Sequence, residues 1–172
     1  MCKTTHFDPR CIASCLAVCL AVSYLLKEDV NDDQIEELIT RVQDETIGII
    51  GDRFNEDDIK LFRWFTNKQT PKDLELDEVG KIGYTYKCLA SGFYGLRSTQ
   101  SFEETLYEII KYGGDADTNG AVCGTLYGAR HGYQKLPIQW LRAMPNKKWF
   151  DQILIKCLET KNLIGDQAMD TS

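Results

Sequence analysis

The sequence predicts an all-α fold. Three observations carry that reading. Apolar residues recur at i, i+3, i+4 and i+7 in almost every stretch long enough to judge. Helix starts and stops punctuate those stretches: Asp8-Pro9, Asn55 with Asp58, Ser101 with Glu104, and Gly113. No run shows the strict alternation of a half-buried strand.

Taken in order, the first helix is expected over Arg10 to Lys27. Asp8 caps it and Pro9 occupies its first turn, where a missing N–H costs nothing. It is apolar on nearly every face, which predicts a central, buried helix. Ile12 to Leu26 faintly resembles a signal peptide but is too short to span a bilayer comfortably. Asn31 caps a second helix carrying Ile35, Leu38, Ile39 and Val42, and Gly48 to Gly51 breaks the pattern. Asn55 and Asp58 cap a third, with Ile59, Phe62, Trp64 and Phe65. Thr66 to Asp77 is polar and reads as a loop.

A fourth helix is expected from about Glu78 to Tyr94, with Val79, Ile82, Tyr86, Leu89, Ala90 and Phe93 as its apolar stripe. Ser101 and Glu104 form a capping box, and that helix stops at Gly113. The next runs from Asn119 to Gly132. Its glycines at 120, 124, 128 and 132 share one face, which predicts close packing against another backbone. Pro137 opens a short helix. Lys147 to Lys161 forms a last amphipathic one, with Trp149, Phe150, Ile153, Leu154, Cys157 and Leu158 inward. The domain is expected to cover residues 1 to 163, with a disordered tail over 164 to 172.

The stretch richest in chemistry is Gly113-Gly114-Asp115-Ala116-Asp117-Thr118. Two glycines permit a sharp turn, and two carboxylates and a hydroxyl follow at a helix N-terminus, where negative charge is favoured. Asp115, Asp117 and Thr118 offer only oxygen donors, which suit a hard cation better than zinc. The competing reading is an ordinary helix cap. An EF-hand is excluded, because the position that needs a bidentate glutamate holds Leu126.

The net charge of −6, with no basic block, argues against a general nucleic-acid binder. Seven cysteines without a C-x-x-C pair point to reduced thiols and a cytoplasmic or nuclear location. Cys11, Cys15 and Cys19 fall four apart along one helix face and read as buried small hydrophobes.

Together these motifs resemble the ADP-ribosylglycohydrolase family, which includes dinitrogenase reductase-activating glycohydrolase, the ADP-ribosyl-acceptor hydrolases and the J1 lens crystallins. The resemblance runs through "KIGYTYKCLASGFYGL", "SFEETLYEIIKYGGDADTNGAVCGTLYGARHG" and "LPIQWL", in family order and spacing. "TTHFDPR" at Thr4 to Arg10 is similar to the family's T-H-x-D-P segment. The resemblance implies a compact orthogonal helical domain, the C-terminal part of the family's fold. It implies metal-dependent hydrolysis of the glycosidic bond between ADP-ribose and a protein side chain. It makes Asp115, Asp117 and Thr118 ligands of a binuclear Mg2+ (or Mn2+) site and places His6 near bound ADP-ribose. The implied partners are ADP-ribose or an ADP-ribosylated protein, with neither nucleic acid nor membrane.

The family's G-D motif, its T-D-D-T ligands and its phosphate-holding glycine-rich segment have no counterpart here. Asp32-Asp33 and Asp57-Asp58 follow the histidine segment instead of preceding it, and read as solvated helix starts. The sequence is therefore expected to be a fragment or short isoform, inactive alone. The alternative is a catalytically dead member with a structural or binding role, as in the crystallins. The acceptor residue, arginine or serine, and the oligomeric state stay open.

Overall fold

The computed structural model describes residues 2–67 and 70–160. Among them are eight α-helices and no strand: α1 (Pro9–Leu25), α2 (Ile35–Ile50), α3 (Glu56–Thr66), α4 (Thr85–Arg97), α5 (Phe102–Ile110), α6 (Ala116–His131), α7 (Ile138–Ala143) and α8 (Lys147–Thr160). The chain divides into two compact units, Met1–Lys135 and Leu136–Ser172. Among the described residues, no helix is long and apolar enough to cross a membrane. The expected tail over 164 to 172 lies outside the described residues.

The helix starts follow from capping chemistry. Asp8 accepts a hydrogen bond from the Arg10 amide at 2.8 Å. The Asn55 side chain accepts from the amides of Asp57 and Asp58, and the Asp58 carboxylate accepts from the Asn55 amide. Ser101 and Glu104 close the same reciprocal box at α5. Each such cap is worth about 1 kcal/mol.

The centre of the first unit is the pair α4 and α6, with α1 laid across both and α2, α3 and α5 around them. Close approach of α4 to α6 depends on α4's own glycines. A methyl group on Gly92 would stand 2.8 Å from a Val122 methyl. One on Gly95 would overlap the Cys123 carbonyl and sit 2.8 Å from its sulfur. This corrects the expectation for α6. Gly120 and Gly124 face only side chains, Ile110 at 3.5 Å and Phe102 at 3.3 Å, and Gly128 and Gly132 face open space.

Further differences have local causes. Helix α2 runs through Gly48 and stops only at Gly51, whose φ of +58° ends it. Helix α4 begins seven residues later than expected, because Gly80 takes a positive φ and Glu78 ties the preceding loop to Lys81 and Lys87 at 2.7 and 2.9 Å. Val79 and Ile82 consequently lie exposed. Leu74 and Leu76, in the stretch expected to be a polar loop, are buried in the core instead.

Helix α1 is central but not enclosed: it buries Ala13, Ser14, Ala17 and Ala21, small residues that admit its neighbours. Cys15 and Cys19 are exposed and Cys11 is half-buried, so the reading of these thiols as buried is corrected. In the second unit no residue of α8 is buried, and Trp149, Phe150, Ile153 and Leu154 are exposed instead of inward.

Candidate functional site

Three helix N-termini open onto one cleft of about 440 Å³. The start of α1 contributes Asp8 and Arg10, that of α4 Gly83, Tyr84 and Thr85, and that of α6 Asp115 and Thr118; His6 comes from the segment ahead of α1. Converging N-termini give the cleft a positive lining of backbone dipoles suited to anions. His6 and Asp115 are therefore brought together across more than a hundred residues of sequence. Asp117 is exposed and is not among the lining residues.

The turn that presents Asp115 is set by backbone geometry. Gly113 and Gly114 both take positive φ, +70° and +67°. Gly114 also lies against the Leu76 backbone so closely that no side chain fits there. Asp115 sits at the N-cap of α6, yet its side chain makes no capping hydrogen bond. In this Asp115 differs from Asp8, Asn55 and Ser101, which all bond first-turn amides.

Asp117 is held below the usual carboxylate range, first by the Thr118 backbone amide and next by the Asp115 side chain. The two acids thus stand beside one another, and with the hydroxyl of Thr118 next in sequence they offer a donor set that fits a hard divalent ion as part of a coordination shell. Among the described residues, no group of three or more His, Cys, Asp or Glu side chains could complete one.

His6 is exposed; one ring nitrogen lies 3.0 Å from the Thr5 hydroxyl, and its backbone amide donates to the Cys2 carbonyl at 2.9 Å. Asp8 and Arg10 form a bidentate pair at 2.7 and 3.0 Å. The Arg10 side chain lowers the Asp8 carboxyl to about 2, and the pairing raises the Arg10 guanidinium in turn. The Arg10 guanidinium also reaches over the Tyr84 ring, 6.0 Å from its centre.

Cys88 donates its thiol to the Thr118 carbonyl at 3.8 Å, and burial first, then the Asp115 charge, push it up to about 11. Sequence reasoning missed Arg10, Tyr84, Thr85 and the thiols of this cleft. Helix starts were its only signal, and it gave no means to see that three of them meet.

A profile of the ADP-ribosylglycohydrolase family matches residues 1–167. An uncharacterized protein of Archaeoglobus fulgidus is 27% identical over 97 residues, 55% of this chain and 31% of that protein. ADP-ribosylarginine hydrolase Tri1 of Serratia proteamaculans is 30% identical over 70 residues, 41% of this chain and 19% of the relative. ADP-ribosyl-[dinitrogen reductase] glycohydrolase of Rhodospirillum rubrum is 41% identical over 49 residues, 28% of this chain and 17% of the relative. The matched stretches thus span less than a third of these relatives. No solved structure matches the chain significantly. With a family profile matching nearly end to end, the chain belongs to the ADP-ribosylglycohydrolase family.

Proposed function

We propose that the cleft is one side of an ADP-ribosylglycohydrolase site, in which Asp115, Asp117 and Thr118 hold Mg2+ or Mn2+ and His6 contacts ADP-ribose. The reaction is hydrolysis of the glycosidic bond joining ADP-ribose to a protein side chain. The observation that carries this reading is Asp115: a carboxylate at a helix N-cap, unused for capping, facing the cleft that also holds His6. Names of two relatives, an ADP-ribosylarginine hydrolase and an ADP-ribosyl-[dinitrogen reductase] glycohydrolase, support the substrate class. A divalent ion held by Asp115, Asp117 and Thr118 would supply polarisation of ribose oxygens and of an attacking water. The chain's own residues hold the Asp117 carboxyl below its usual range and set three helix dipoles toward the anionic ligand.

Two carboxylates and a hydroxyl hold such an ion weakly. For residues 1 to 172 alone we therefore expect ADP-ribose binding without useful turnover. Calorimetric titration with ADP-ribose in the presence of Mn2+ tests this. Binding is expected to need the metal and to fall at least about tenfold in Asp115→Asn, roughly the loss of one charged ligand contact. His6→Ala is expected to weaken ADP-ribose and leave Mn2+ binding unchanged. ADP-ribose affinity unaffected by both substitutions would remove the site from this cleft.

A further inference from the structure

Four of the seven cysteines, Cys2, Cys11, Cys15 and Cys88, line the candidate cleft. They come from three places: the 3-10 turn Cys2–Thr4, the outer face of α1, and α4. Two have partners elsewhere. Cys88 donates to the Thr118 carbonyl, and the Thr85 hydroxyl is within reach of Cys11. The remaining two come near each other, although the Cys2 thiol also donates to the His6 carbonyl. The 3-10 turn packs back on α1, both residues line the same cleft, and Cys2 is near enough to act on the Cys15 thiol. Cys15 is exposed and Cys2 half-buried, so small oxidants reach both.

We propose that Cys2 and Cys15 form a reversible disulfide that fastens the His6-bearing turn to α1 at the rim of the cleft. The alternatives within α1 are geometrically poor. Cys11, Cys15 and Cys19 are four apart, which sets neighbouring Cβ atoms about 5–6 Å apart on a helix. A disulfide needs about 3.5–4.5 Å. A turn folded back onto the helix has no such fixed spacing and can close the gap.

The oxidant is a hydroperoxide. The Cys2 sulfur attacks first, because partial desolvation and then the Cys2 neighbour push the Cys15 thiol up to about 11, so Cys15 keeps its proton. The thiolate attacks one peroxide oxygen, the O–O bond breaks, and the departing oxygen leaves as water or an alcohol. The sulfenic acid left on Cys2 is then attacked by the Cys15 sulfur. The S–S bond forms, the S–O bond breaks, and the second oxygen leaves as water with the Cys15 proton. Two electrons pass from the two sulfurs to the peroxide, and an external thiol returns them.

Closure would set His6 inside a covalent ring running from residue 2 to residue 15. The Cys2 thiol now donates to the His6 carbonyl at 3.6 Å, and oxidation removes that donor. The bond itself is independent of the functional reading above; only its effect on ADP-ribose rests on that reading.

The test uses the whole 172-residue chain, reduced, freed of reductant, exposed to limiting hydrogen peroxide, alkylated and mapped without reduction. A peptide pair linking Cys2 to Cys15 is expected, lost on treatment with dithiothreitol and absent from Cys2→Ser and from Cys15→Ser. Cys19→Ser is expected to retain it. In the oxidised chain the amides of residues 5–8 should exchange with solvent about tenfold more slowly, as a closed loop loses open states. Links within α1, links between chains, or sulfinic acid at Cys2 without any Cys2–Cys15 peptide would overturn the proposal. If the link forms and ADP-ribose affinity does not change, the disulfide stands and its role at the cleft falls.

Discussion

Asp8 shows how much one side chain settles at a helix start. It caps α1, forks onto Arg10, and through Arg10 fixes the wall of the cleft beside Tyr84. Its folded value near 2 lies below the ordinary 3.8. An acid depressed by folding stabilises the folded state once ionised, so its contribution is present above about 3.8 and fades as pH falls toward 2. Asp8→Ala is therefore expected to cost about 1 kcal/mol at neutral pH, mainly through the lost cap. Its penalty relative to the parent should shrink between pH 4 and about 2. Urea midpoints of both chains across that range measure this, and a penalty that grows on acidification would contradict the assignment.

Asp115 is the counterpart, an acid at a cap position that does not cap. That difference was not legible in the sequence, where both read as Asp ahead of a helix. Capping depends on side-chain direction, which the backbone turn at Gly113 and Gly114 decides. The candidate acids and His6 were legible because residue type and spacing survive as motifs. Exposure of Cys15 and Cys19 was not, since an all-round apolar helix gives no sign of which face its neighbours cover.

At the scale of elements, helix existence was legible nearly throughout and boundaries were legible where a cap marked them. α3 and α5 begin where Asn55 and Ser101 place them. α4 lacks a side-chain cap, and its apolar pattern ran on into a loop whose shape is held by Glu78, Lys81 and Lys87.

Which glycines mattered was also illegible, since the α6 glycines announce themselves by periodicity and those of α4 do not. Contacts decide it. Gly95→Ala is expected to destabilise by about 3 kcal/mol, because the Cys123 backbone cannot yield as a flexible side chain would. Gly128→Ala is expected to be neutral or to stabilise by up to about 1 kcal/mol, having open space and a better helix former. Thermal unfolding of the two variants gives the comparison, and equal effects would contradict the packing account.

For the molecule as a whole, the central feature is convergence: α1, α4 and α6 start at one cleft, and acids, a histidine and thiols arrive there from distant parts of the chain. No local pattern encodes that meeting. It follows from the α4–α6 contact and from α1 lying across both. The account's central claim is that the acids of α6 are metal ligands and not helix-start decoration.

Electron paramagnetic resonance of Mn2+ titrated with the chain reads this directly, since bound ion loses the sharp free-ion signal. The parent chain is expected to bind with Kd on the order of 0.1–1 mM, as befits an incomplete oxygen shell. Asp115→Asn with Asp117→Asn should weaken binding at least about tenfold, and Asp52→Asn with Asp57→Asn, two exposed acids elsewhere, should not. Equal Mn2+ binding by the parent and the Asp115/Asp117 double variant would contradict the account.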